Sequence, residues 1–145
     1  MAFVDGETVI FIGFLCQVSY MIEKPSHENK PFASGDTREV YFLESRSDMV
    51  LKAGDNGANL CEYKAWSQVI HGSEVESEFA RITRSADDYS WILMEYVNVD
   101  KGCSEDIDRE LLRRNGLRPG RIKDENVGIN SDGETVIIDY PWAHP

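Results

Sequence analysis

The chain is short of most features that would name a chemistry directly. Cys16, Cys61 and Cys103 are odd in number and far apart, with no C-x-x-C pair. That excludes a disulfide scaffold and a thiolate metal knuckle; such thiols read as small apolar packing residues in a reducing, cytoplasmic setting. His27, His71 and His144 have no partner at metal-ligand spacing. Basic charge is scarce: 15 Lys and Arg stand against 26 Asp and Glu, for a net charge of -11. Such a balance repels phosphate backbones and anionic lipid, and removes the sequence-independent part of nucleic-acid affinity. The acids are interspersed with Lys and Arg, so no acidic tail is indicated. Long apolar runs are lacking too. Residues 9–16, Val-Ile-Phe-Ile-Gly-Phe-Leu-Cys, are too few to span a bilayer, and Asp5 and Glu7 precede them where a signal peptide has basic residues. No membrane association is expected.

What is present suffices for one domain. A chain of 145 residues, 41% hydrophobic, closes a core without a staple. Residues 9–22 lean toward extended structure, with Val18, Tyr20 and Ile22 alternating against Gln17, Ser19 and Met21, although a helix over the same run stays open. The hexapeptide Asp-Gly-Glu-Thr-Val-Ile occurs at 5–10 and again at 132–137, where it reads as a turn entering a strand. Residues 23–32 are polar, carry Pro25 and Pro31, and read as a loop. Strands are expected at 39–43 and 48–53, joined as a hairpin.

Over 59–71 the apolar period changes to that of a helix, with Asn59 as N-cap, Glu62 as its capping-box partner and Gly72 as the stop. Runs at 79–83 and 91–97 read as a second hairpin. Ser104 caps a further helix with acids in its first turn, Arg113 and Arg114 in its last, and Gly116 after it. Residues 122–140 form a third hairpin through Asn130-Ser131-Asp132-Gly133. The order of strands and helices predicts an α+β fold: a mostly antiparallel sheet with a packed helix, followed by a helix and a β-hairpin.

Four local features carry chemistry. Ala33-Ser34-Gly35-Asp36-Thr37-Arg38-Glu39-Val40 precedes a strand. Lys52 sits inside the otherwise apolar Val50-Leu51-Lys52, where a buried ammonium needs a carboxylate or phosphate against it; Glu62, on the apolar stripe of the next helix, is the candidate. Trp91-Ile92-Leu93-Met94-Glu95-Tyr96-Val97 is a buried strand leaving into a polar connector. Asn126 and Asp139 end the last hairpin, where converging hard oxygens suit magnesium. Each also has a structural reading: Glu62 closing a capping box, Lys52 snorkelling from an edge, Asn126 as a turn residue.

In this order the motifs resemble the protein kinase-like fold over residues 31–142, and most of all the compact kinase-like proteins of phage genomes. The resemblance implies an N-terminal extension over 1–30 and a kinase-like domain over 31–145, its sheet and helix like a kinase N-lobe and its C-lobe truncated. It implies Gly35 in the phosphate-covering loop, Lys52 on the nucleotide phosphates, Glu62 as the partner of that lysine, and Glu95 and Val97 bordering an adenine pocket. Asn126 and Asp139 become the metal ligands, for ATP and magnesium. The departures are equally specific. The three loop-glycine positions hold Ala33, Gly35 and Arg38; Arg121 stands where the family has its catalytic aspartate; Asp-Phe-Gly reads Asp139-Tyr140-Pro141. With no base, no catalytic residue is assigned. The expected function is that of a catalytically impaired kinase-like protein that binds another protein, with the resemblance pointing to a phage-type modulator or inhibitor of a host protein in the host cytoplasm, and with no cofactor required. The alternatives are a minimal ATP/Mg-binding phosphotransferase and a structural or assembly subunit.

Overall fold

A computed structural model of the chain describes residues 23–35 and 37–145. The expected strand at 9–22 and most of the extension over 1–30 lie outside the described residues. Five strands, β1 (Ala33–Ser34), β2 (Arg38–Phe42), β3 (Met49–Gly54), β4 (Ile82–Ser85) and β5 (Trp91–Glu95), form one antiparallel sheet in the order β1-β2-β3-β5-β4. The central pair, β3 and β5, is buried on both faces. That is why both read as nearly continuous apolar runs rather than alternating ones. The stretch expected as a loop at 23–32 is irregular but follows the sheet edge: Glu28 N–H donates to Phe42 O at 2.9 Å and Glu44 N–H to Ser26 O at 3.2 Å.

Helix α1 (Asn56–Lys64) runs without a break into a π-helical stretch, Ala65–Ile70, which buries Ala65, Trp66 and Ile70 against the sheet. The helix begins earlier than the sequence suggests. Its N-cap is Asp55, whose carboxylate accepts Ala58 N–H at 3.1 Å, while Asn59 is fully buried within the helix. The expected capping box between Asn59 and Glu62 is therefore absent; both side chains face inward. The stop at Gly72 holds, with φ of 81°. The second helix, α2 (Arg109–Arg114), is by contrast capped later than expected, by Asp108 in place of Ser104, which instead opens a separate 3-10 turn, Ser104–Asp106.

The final hairpin pairs β6 (Val127–Ile129) with β7 (Thr135–Ile137) through the turn at 130–133. A core of Val50, Ile70, Phe79, Ile92, Val127, Ile137 and Tyr140, among others, joins the inner sheet face, the helical segment and this hairpin. The hairpin crosses the segment after β5 at very close range. A Cβ on Gly128 would lie 2.5 Å from Val97 Cγ1 and 2.7 Å from Asn98 O, and one on Gly102 would lie 2.5 Å from Val127 O. Only residues without side chains allow this approach, and it is locked by paired bonds, Asn98 N–H to Ile129 O at 2.9 Å and Ile129 N–H to Asn98 O at 3.0 Å. The result is an α+β architecture like a kinase N-lobe, continued by a short helix and a small hairpin.

Candidate functional site

Lys52 lies on β3 opposite Val40 of β2 and Ile92 of β5. Strand alternation turns it to the inner face, under the sheet and toward α1. Its Nζ donates to Glu62 Oε1 at 2.8 Å and to the Ile138 carbonyl. Glu62, wholly buried on α1, uses its second oxygen, Oε2, to accept the Tyr140 amide at 2.6 Å. The lysine in an apolar strand thus has the partner its burial demands, contributed by Glu62 of the following helix, ten residues on in sequence, and by the turn after β7.

A residue the sequence reading had noted only for not being glycine completes the cluster. Arg38 begins β2 and faces inward with Val40 and Phe42. Its Nη1 donates to Glu62 Oε1 at 3.0 Å and to Asn59 Oδ1 at 3.1 Å, and its Nη2 to Asp139 Oδ1 at 2.7 Å. Its side chain is only 10% exposed, against 48% for that of Asp139. Asn59 is fixed in turn by donating to Gly54 O at 3.0 Å and Tyr89 O at 2.8 Å. Tyr89 has φ of 59°, a backbone state that bulky residues seldom adopt. The start of β2 is held down by Gly54, at φ of 110°, where a Cβ would come within 2.5 Å of Thr37 O.

Two cations, Arg38 and Lys52, and two carboxylates, Glu62 and Asp139, therefore sum to zero charge. Burial drives the Lys52 ammonium below its ordinary pKa despite the nearby carboxylate. Burial pushes Glu62 the other way, but Lys52 and Arg38 together outweigh it and hold the carboxyl below its usual range. Burial also opposes the Arg38 charge, and Glu62 and Asp139 overcome it and raise that pKa. Tyr140 packs edge-on against Phe79, with ring centroids 5.0 Å apart, and donates its hydroxyl to Ala80 O at 2.6 Å. Burial lifts its phenol well above the ordinary value, with Glu62 adding to the effect.

The other residues singled out from sequence are placed as follows. Gly35 lies in the loop between β1 and β2, and its amide donates to Arg38 O at 2.8 Å, so that N–H is already engaged. Glu95 ends β5 and turns to the opposite side from Met94, where Oε2 accepts Arg81 N–H at 2.7 Å. Val97 is buried against Gly128. Asn126 enters through its backbone, its carbonyl accepting Ile138 N–H at 2.8 Å; among the described residues no hydrogen bond joins its side chain to Asp139. Lys52 and Glu62 are thus in direct contact and Asp139 is tied to them through Arg38, whereas Gly35, Glu95, Val97 and Asn126 make their polar or packing contacts elsewhere.

The donor set fits magnesium poorly. Among the described residues no group of three or more His, Cys, Asp or Glu is placed to hold a metal ion, and the Asp139 oxygen nearest the cluster already faces a guanidinium. A cation entering there would meet Arg38 at the distance of a hydrogen-bonded partner, where like charges repel strongly. Among the described residues no helix is long and apolar enough to cross a membrane.

The sequence matches no protein-family model and no curated protein. Its fold is similar to solved structures. One is a co-crystal structure of WbdD with a kinase inhibitor, at 17% identity and a TM-score of 0.49, covering 79% of this chain and 33% of that one. Another is the streptomycin-ATP-APH(2")-IIa ternary complex, at 14% identity and a TM-score of 0.35, covering 72% of this chain and 32% of that one. The likeness is distant, and this chain spans about a third of the length of the chains it matches.

Proposed function

We propose that this chain is a kinase-like protein without phosphoryl transfer that acts by binding another protein. The observation that carries the reading is the Arg38 guanidinium lodged between Glu62 and Asp139. In the kinase-like pattern that space serves a metal and phosphates; here a side chain of the protein neutralises both acids. Phosphoryl transfer depends almost wholly on positioning and charge stabilisation. A site whose charges are already satisfied internally, with Arg121 where the family's base belongs, supplies neither. The surface carries an excess of acid, which steers basic or mixed-charge partners. A phage-type modulator of a host protein fits this chemistry.

The Lys52–Glu62 contact at 2.8 Å favours a second reading, a minimal ATP/Mg-binding phosphotransferase. Titrating ATP and magnesium while following thermal unfolding separates the two. A nucleotide at 100 times its Kd raises stability by about 2.7 kcal/mol. The binding-protein reading expects no shift at millimolar nucleotide in the natural chain. A shift that is lost in both Lys52→Ala and Asp139→Ala would overturn it.

A further inference from the structure

Charge is spread very unevenly along this chain. Of residues 109–123, six are Arg or Lys and only Glu110 is acidic, whereas the other 130 residues carry nine bases against 25 acids. One basic segment thus stands in an otherwise strongly acidic molecule. It comprises α2, the turn after it and the 3-10 turn Pro119–Arg121. The acids that flank it in sequence sit at its base, where Asp124 accepts the Ser104 amide at 2.8 Å and Asp108 caps α2. The bases run out along the loop between.

That loop is held in shape from within. Arg109 turns inward and donates to three carbonyls, Pro119 O at 2.9 Å, Ser104 O at 3.2 Å and Ile122 O at 3.5 Å. Leu117 is buried and returns its amide to Leu112 O at 3.0 Å. Arg113, Arg114 and Arg118 are left exposed. Arg113 faces Glu110 at 3.6 Å and Arg114 faces Glu74 at 3.5 Å, with all four side chains more than half exposed. Surface pairs of this kind contribute little and exchange partners readily. Among the described residues no ion pair uses Arg118.

Beside Arg118 the surface is concave. A cavity of about 610 Å³ opens between Gly116, Leu117, Arg118 and Gly120 on one side and Trp142 and Ala143 on the other, with no acid in its lining. The Trp142 indole is steadied by its Nε1, which donates to Asp139 O at 3.1 Å. The wall is bare where the glycines stand: a Cβ on Gly116 or Gly120 would meet no heavy atom within 4 Å. Ligand sites of roughly 300–1,000 Å³ combine an apolar lining with a few placed polar groups. Here the apolar part is Leu117, Ala143 and the indole, and the charged group is a guanidinium.

We propose that this cavity and its basic rim dock an acidic segment of a partner protein, with an apolar side chain against Trp142 and carboxylates on Arg113, Arg114 and Arg118. The proposal rests on the reading of the chain as a protein-binding molecule and names the surface that binds. Charge selects the occupant. A nucleic-acid duplex carries a negative charge about every 1.7 Å along its whole length, whereas α2 is only about 9 Å long. Beyond the loop a duplex would lie against acids, and screening over about 8 Å does not hide them. A short acidic segment ends where the bases end. The basic parts of a mixed-charge partner then answer the acidic remainder of this chain. A second copy is opposed by the net charge of -11 on each chain.

The test titrates the full chain by calorimetry, at physiological ionic strength, with a short capped peptide in which one Phe is flanked on both sides by alternating Asp and Glu. Binding is expected, and with it a change in tryptophan emission, because Trp142 is half-buried while Trp66 and Trp91 are only 6% and 3% exposed. Arg118→Glu removes the charge, and Gly120→Leu fills the cavity from a position with room for a side chain. Each is expected to weaken binding about tenfold or more, about 1.4 kcal/mol, with thermal unfolding unchanged. No binding of the peptide, equal binding of its counterpart with Lys in place of the acids, or undiminished binding in either variant overturns the proposal. So does tighter binding of a duplex oligonucleotide, or light scattering that shows self-association in the natural chain and none in Arg118→Glu. These outcomes leave the wider reading to the ATP and magnesium titration, which does not involve this surface.

Discussion

The two faces of β3 are one residue apart and opposite in character. Lys52 points inward to a cluster of four charges, and Leu51 points outward to side chains that are almost all apolar. The Leu51 side of the outward face is held chiefly by burial, with the Arg84 guanidinium 5.9 Å over the Trp91 ring; burial has no direction and tolerates rearrangement of its contacts. At the Lys52 end of the inward face, each group depends on the others being present and ionised, so removing one leaves a buried charge without a counterpart. The same strand thus separates a site sensitive to charge from one sensitive to volume.

The largest effect that sharpens this contrast is expected from Glu62→Ala. It strands Arg38 and Lys52 together and frees the Tyr140 amide, and should cost about 3–5 kcal/mol in chemical denaturation. Next is Leu93→Ala on the outward face, expected to cost about 2–5 kcal/mol through the cavity left behind. The pH dependence distinguishes the two faces. The Glu62 pKa lies below its ordinary 4.5 in the folded state, so the unfolded chain binds the proton more readily. The stabilisation is fully present above about pH 4.5 and is lost as pH falls through the folded value. Stability measured down this limb should fall less steeply for Glu62→Gln than for the natural chain, while Leu93→Ala should run parallel to the natural chain. Parallel behaviour of Glu62→Gln would break the comparison.

Smaller still is Tyr140→Phe, which leaves the Ala80 carbonyl without its donor while keeping the ring against Phe79. A loss of about 1–2 kcal/mol is expected by equilibrium unfolding. At the bottom of the scale stands Arg46→Ala. Arg46 pairs with Asp48 at 2.7 Å, but both side chains are more than half exposed. Solvent and salt screen such a pair, and its removal should leave the melting temperature unchanged. A clear drop would show that ion-pair chemistry, rather than burial, sets the ranking.

How far the sequence could be read follows the same division. The Lys52–Glu62 contact was legible because a lysine in an apolar strand requires a partner and the next helix offered an acid on its apolar stripe. The hairpins were legible from turn chemistry, as at Asp132-Gly133. The start of α1 was not: Gly57 hides the helical period after Asp55, and an asparagine before an apolar stripe looks like a cap when it is a buried linchpin. Arg38 was the least legible. The bond to Asp139 spans 101 residues of sequence, and locally Arg38 resembles any charged residue opening a strand. Its one signal was alternation, since Arg38, Val40 and Phe42 share a face. Glu95 shows the reverse case: its strand was legible as an apolar run, while the contact of its carboxylate with the Arg81 amide at 2.7 Å follows from a neighbouring strand that the run itself does not name.

The crossing of Gly128 over Asn98, and of Gly102 over Val127, sets how this molecule can respond to a visitor. Backbone lies on backbone there, riveted by reciprocal amide bonds, so the last hairpin and the segment after β5 are joined as one piece. Whatever displaces the hairpin drags that segment with it, and a side chain added at either glycine must first pry the two apart.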